Sequence, residues 1–135
     1  FMRSHLYASI GVLKVGNDIL FNKEKVQVSR ITGHGGLFKT KGVGQRILAA
    51  AINSPISVME TAGEGGAWGI ALLAGYLVNN PEKKNLADYL EDVVFAGNTG
   101  TEIAPTAEDV AGFNVWIENY KRGLAIEQAA VANKA

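Results

Sequence analysis

Cysteine is absent from the 135 residues, which excludes disulfides, thiolate nucleophiles and cysteine-held metals, and permits a reducing compartment. Charge of either sign in excess is absent too: thirteen Lys and Arg balance thirteen Asp and Glu. A chain without a basic footprint is a poor fit to nucleic acid or to an anionic membrane surface. Long apolar runs are missing as well. The longest, Ala67 to Val78 (AWGIALLAGYLV), is too short to span a bilayer and is interrupted by Gly69 and Gly75, so it reads as a buried helix. No signal peptide is evident, and cytoplasm is the default location. Histidine occurs only at 5 and 34, too little to support a metal site.

What is abundant is apolar residues, 47% of the chain, and glycine, sixteen of them. That content suits one globular domain spanning 1–135. The opening Phe1-Met2, already within a helical pattern, is read as the start of a piece of a longer chain.

Hydrophobic spacing predicts an amphipathic helix from Arg3 to Phe21 with Leu6, Ile10, Leu13 and Leu20 facing inward. Val26 and Val28 alternate with polar residues before Ile31-Thr32, the pattern of a strand that runs into a glycine turn. A second helix is expected to start between Thr40 and Val43, to bury Val43, Ile47, Leu48, Ala51 and Ile52, and to stop before Pro55. Ile56 to Met59 reads as a short strand. Thr61 to Glu64 has the spacing of a capping box before a helix apolar all round, whose Gly65, Gly66, Gly69 and Ala71 would let another backbone come close. Asn85 to Phe95 reads as a surface helix with Leu86, Leu90 and Val93 or Val94 inward, broken over 97–100. Thr106 then caps a long helix, with Asp109 three residues on and Val110, Phe113, Ile117, Tyr120 and Leu124 buried; from Gln128 the tail is expected to fray. Two strands among five helices make a small sheet, so further strands are expected in a preceding segment.

The organising stretch is Lys25 to Ile52, where strand, glycine cluster and helix follow in order. Such a turn sets backbone N–H groups beside a ligand, an arrangement suited to phosphate. The dinucleotide fingerprint fails, because Phe38 stands where a third glycine belongs; the P-loop fails because Lys41-Gly42 reverses the required order. On spacing alone the turn is structural or functional with equal weight.

Gly35-Gly36-Leu37-Phe38-Lys39-Thr40, then Gln45-Arg46-Ile47-Leu48-Ala49, then a short strand and Glu64-Gly65-Gly66-Ala67-Trp68-Gly69, resembles the C-terminal domain of FGGY carbohydrate kinases, most of all the xylulose kinase branch. The resemblance also takes in Arg3 to Leu6 and Pro105 to Tyr120. It implies an α/β fold of the ribonuclease H-like ATPase class shared with actin and hexokinase, in which two domains close over ATP and sugar. It further implies that Gly35 and Gly36 lie along the adenosine and phosphates and that Thr40 sits by the adenine. Gly33, Gly35, Gly36, Lys39 and Thr40 are therefore the candidate nucleotide-binding residues. The catalytic aspartate, most sugar contacts and the Mg2+ ligands are implied to lie on the N-terminal domain, with no catalytic residue in this chain. ATP or ADP and a sugar are the implied partners, and a homodimer is compatible with them. Departures from the family pattern are Leu37 and Phe38 in place of small residues, Gly33-His34 before the pair, and Gly42, Val43 and Gly44 in a loosened first helical turn.

Blander roles stand beside these. His34 reads as a solvated loop residue more readily than as a phosphate donor, and Lys39 as either a phosphate partner or an exposed lysine. Glu64 reads as a helix cap rather than a tie to the glycine loop. Asp88, Glu91 and Asp92 read as a solvated face, and Trp68 and Trp116 as core or interface. Function then reads as the nucleotide-binding part of an ATP-dependent ketopentose kinase. The alternatives are a non-catalytic nucleotide-binding module of the same clan, or an unrelated α/β domain with a structural turn.

Overall fold

The computed structural model describes residues 1–97 and 100–133, with elements α1 (Met2–Asp18), β1 (Ile31–Gly33), α2 (Val43–Ile52), β2 (Ile56–Val58), α3 (Gly65–Val78), α4 (Leu86–Tyr89), β3 (Thr101–Ile103) and α5 (Ala107–Ala132). A wider turn, Ile19–Lys23, ends α1, and another, Leu90–Val94, extends α4; 3-10 turns lie at Gly36–Phe38 and Ala62–Glu64. The three strands form one mixed sheet in the order β1-β2-β3, with β1 and β2 parallel across α2, and β3 antiparallel to β2. No helix among the described residues is long and apolar enough to cross a membrane.

β3 is a strand that the hydrophobic pattern does not announce. Its place is secured from α2: the buried Gln45 side chain donates from Nε2 to the carbonyls of Ile56 on β2 and Thr101 on β3, at 2.7 and 2.8 Å. Gly100 leads in with a positive φ of 64°, and a Cβ there would lie 2.7 Å from the Val58 carbonyl oxygen, so glycine is required on both counts. Ile31, Ile56 and Ile103 share one register row, and Thr32, Ser57 and Glu102 the next, on the opposite face. There the Ser57 hydroxyl donates to Glu102 at 3.1 Å.

The core lies where α1, α2 and α5 meet the sheet. Ala49, Ala50 and Ala51 are buried, and their small side chains let the neighbouring helices close on α2. Ile10, Leu48, Ile56, Phe113 and Ile117 fill the space between, each contributing about 1.5–3 kcal/mol by leaving water. Tyr7, Phe113, Trp116 and Tyr120 form an aromatic cluster beside it, with neighbouring centroids 5.0–5.5 Å apart. Gly11 makes room for the Trp116 ring, which a Cβ would approach to 3.1 Å. Trp116 thus packs, half-buried, against the core.

At the start of α5, Thr106 caps as expected, accepting from the Asp109 N–H at 3.2 Å. Asp109 is gripped in turn by Arg46 of α2, with Nε to Oδ2 at 2.6 Å and the second guanidinium nitrogen to Oδ1 at 3.1 Å. This two-pronged pair, with help from Thr106, holds the Asp109 carboxyl below its ordinary 3.8. A carboxyl depressed by folding lends stability above its unfolded pKa and loses it as pH falls through the folded one. Asp109→Asn is therefore expected to lower the urea midpoint at pH 6 and to converge with the parent as pH falls from about 3.8 through the lower folded pKa; a gap that persists into strong acid would count against the pair.

Several sequence expectations are corrected. Val26 and Val28 are not in a strand and stand about half exposed, because Lys25 takes a left-handed backbone (φ 55°) and the Val26 N–H bonds back to the Leu20 carbonyl, closing off α1. Leu13 and Leu20 are each 46% exposed, since the face of α1 that turns inward runs through Tyr7, Ile10, Gly11 and Val15. Val43 is exposed and Gly44 and Gln45 are buried instead. Tyr89 is the buried residue of α4, set edge-on to Tyr76. α5 continues to Ala132 without fraying at Gln128. The break expected over 97–100 falls partly on residues 98 and 99, outside the described ones.

The largest correction concerns α3, none of whose residues is fully buried. Leu77 and Val78 are each 82% exposed and Ile70 is 72% exposed. Its two ends are tied down: Gly65 lies against His34, and near the other end Tyr76 donates to the Lys84 carbonyl at 2.9 Å.

Candidate functional site

The carboxyl end of β1 delivers His34 and Gly35 to a cleft faced from the far side by Gly65 and Gly66, where α3 begins. This is the position at which open α/β sheets receive ligands. The cleft is about 380 Å³ and open to solvent. Glycine is used there for two distinct reasons. Gly35 has φ 102°, a backbone that side chains resist, and its N–H donates to the Ala62 carbonyl at 2.7 Å, so the two glycine turns are tied together. Gly36 needs no special backbone, and a Cβ there would meet nothing within 4 Å. It faces open space.

The candidate residues divide accordingly. Gly35 lines the cleft and Gly36 follows it. Gly33 is buried and lies under Phe38, whose ring a Cβ would reach at 2.4 Å. Its role visible in the fold is packing. Thr40 is exposed on the outer side of the turn, where its carbonyl accepts from the Val43 N–H at 3.3 Å. Lys39 lines a neighbouring cavity of about 460 Å³ with Phe38, Gly42, Met59, Gly63 and Glu64.

Lys39 and Glu64 join across the mouth of that cavity at 2.8 Å. The tie overturns the capping role expected of Glu64: neither Thr61 nor Glu64 makes a side-chain cap, and Glu64 instead links the second glycine turn to the first. The Lys39 ammonium holds the Glu64 carboxyl below its ordinary value. Both side chains are mostly exposed, so solvent screens the pair and its part is positional.

Gly42 and Gly44 do not loosen α2. Gly42 adopts the left-handed conformation that starts the helix, and Gly44 allows the Leu37 turn to dock, since a Cβ at 44 would lie 2.6 Å from the Leu37 carbonyl oxygen. Nothing in the spacing marked Gly65 as a wall of the cleft; the hint was only that it permits close approach.

The comparison with family profiles is decisive. Residues 1–78, more than half of the chain, match the FGGY family of carbohydrate kinases, C-terminal domain. The chain belongs to that family. Within this FGGY domain the match takes in α1 through α3, hence both glycine turns and the cleft between them. It ends with α3, so the resemblance of Pro105 to Tyr120 is not part of it. Neither a curated protein nor a solved structure matches the chain.

For a kinase, the residues around the cleft also bear on magnesium. Among the described residues no three His, Asp or Glu side chains gather where one ion could be held. Asp88 and Asp92 are engaged locally, with Asn85 and Lys84.

Proposed function

We propose that this domain is the nucleotide-holding half of an ATP-dependent sugar kinase of the ribonuclease H-like ATPase class. In this reading it holds ATP while the γ-phosphoryl group passes to a hydroxyl of a ketopentose such as xylulose, in the cytoplasm. The observation that carries the reading is the open cleft at the end of β1, walled by His34, Gly35, Gly65 and Gly66, in a chain of the carbohydrate kinase family. Glycine walls let a flat, charged ligand come close to backbone, as a nucleotide requires.

The chemistry of transfer asks for a base on the sugar hydroxyl. Glu64 is a poor one, because the hydrogen bond from Lys39 occupies its carboxylate and lowers its affinity for a proton. In this reading the base, the magnesium ligands and most sugar contacts lie, as the family resemblance implies, on a further domain of the kinase, which makes this cleft half a site. Gly33, Gly35, Gly36, Lys39 and Thr40 remain our candidates for nucleotide contact, with Gly36 the sharpest probe because the fold leaves it room.

Titrating the isotopically labelled chain with ADP is expected to shift amides of His34 to Lys39 and Gly63 to Gly66, with a dissociation constant of order millimolar, about 4 kcal/mol. Gly36→Val is expected to abolish those shifts while leaving the melting temperature unchanged, since the added side chain fills space needed only by ligand. Shifts centred elsewhere would overturn the placement. Micromolar affinity would mean a complete site and favour a non-catalytic nucleotide-binding module.

A further inference from the structure

Lys39 and Glu64 meet at 2.8 Å between the two glycine turns, and each is placed there by its own turn. The Lys39 N–H closes the first turn on the Gly36 carbonyl at 3.2 Å. From there the lysine stem runs over Gly63 of the second turn, where a Cβ would stand 3.2 Å from its Cγ and 3.5 Å from its Cε. Glu64 directly precedes Gly65, a wall of the cleft. The ammonium is thus held beside the cleft, yet a carboxylate of its own chain already accepts its hydrogen bond. For Lys39 to meet a phosphate, that bond has to break.

We propose that the pair is an exchangeable clasp, in which a phosphate of the incoming nucleotide takes the Lys39 ammonium from Glu64. The proposal rests on the nucleotide reading of the cleft and adds to it the residue that competes with the ligand. Three features allow the exchange. First, Lys39 is 59% and Glu64 76% exposed, so parting them leaves neither charge buried, and an exposed pair of this kind holds only weakly. Second, the terminal phosphate of a nucleotide brings more negative charge and more acceptor oxygens than one carboxylate. Third, the lysines lining the neighbouring cavity, Lys39 and Lys41, are matched there by Glu60 and Glu64, so without the exchange the cavity offers a phosphate no surplus positive charge. Released, Glu64 turns to the solvent that already reaches most of it. The bond from the Gly35 N–H to the Ala62 carbonyl keeps the two turns together meanwhile. A ligand without phosphate cannot make the exchange, so the clasp favours a nucleotide over a nucleoside.

The test is amide-shift titration of the labelled 135-residue chain with ADP, with pyrophosphate and with adenosine. Glu64→Gln leaves Lys39 an acceptor and removes the competing charge; it is expected to tighten ADP and pyrophosphate about two- to fivefold and to leave adenosine unchanged. Lys39→Met is expected to weaken both anions. In that background Glu64→Gln is expected to lose most of its effect, the non-additivity that marks two members of one pair. Glu60→Gln removes a carboxylate of the same cavity outside the clasp and is expected to leave ADP binding as it is. Unchanged or weaker ADP binding by Glu64→Gln would show that the pair only braces the turns. Equal gains from Glu64→Gln and Glu60→Gln, or a full gain without Lys39, would reduce the effect to overall charge. Each of these results overturns the clasp and leaves the nucleotide reading standing; a parent chain in which ADP shifts no amide of the glycine turns overturns both.

Discussion

Replacing Gly44 by valine is expected to destabilise the domain by about 3 kcal/mol, a fall of roughly 10 °C in melting temperature, and to weaken ADP binding with it. The cause is local. A Cβ at 44 would stand 2.6 Å from the Leu37 carbonyl oxygen and 2.7 Å from its Cγ. Side chains at the end of a flexible stem can step aside; a main-chain carbonyl cannot do so alone. The Gly36–Phe38 turn would have to lift from α2, and with it Phe38 from its seat on Gly33 and Gly35 from its bond to Ala62. Two opposing effects set the size. Leaving glycine in a helix gains several tenths of a kcal/mol of propensity, whereas overpacking against backbone costs about 1–3 kcal/mol, occasionally more, so the clash wins. Gly44→Ala recovers more propensity and adds less bulk, and should lie between. A valine variant melting within about 2 °C of the parent would show that the turn is not docked on α2.

That residue also shows where sequence reading succeeds and where it stops. Thr106 with Asp109, and Phe113 with Ile117, were legible because cap and core follow from spacing within one helix. The glycine turn was legible because strand, cluster and helix are consecutive. Gly33, Gly35, Gly36 and Gly44 are alike in sequence yet do different things, and their roles depend on Phe38, on a backbone angle, on empty space and on Leu37 respectively. The role of Glu64 is hidden from local spacing for the same reason: its partner Lys39 lies 25 residues away. β3, three residues with no alternation to speak of, exists through Gln45 and Gly100. α3 failed in the opposite sense. A helix apolar all round predicts burial, but such a pattern says only that a partner is wanted, and here no residue of α3 is fully buried.

Gln45→Leu is expected to cost about 2–4 kcal/mol, because it leaves two main-chain carbonyls short of a donor at about 1–3 kcal/mol each. Gln45 is only 3% exposed, and both amide hydrogens are committed, one to each strand. Since both partners are carbonyl oxygens, the nitrogen end of the amide must face them. β3 has no comparable hold from α2, so its amides should exchange faster with solvent in the leucine variant while those of α5 keep most of their protection. Gln45→Glu separates the hydrogen bonds from mere volume. At neutral pH a carboxylate would face two carbonyl oxygens with no hydrogen to offer, so this variant should be less stable than the leucine one. Protonated, it can donate to one of them. Folding therefore favours the protonated form and raises the carboxyl pKa above its unfolded value of about 4.3; stability is fully present below that pH and is lost as pH rises through the folded pKa. Urea unfolding at pH 4 and pH 7 is expected to show the glutamate variant closing on the parent in acid while the leucine variant keeps its distance. A glutamate variant equally destabilised at both values would mean that Gln45 only fills space and that β3 is held by the ladder alone.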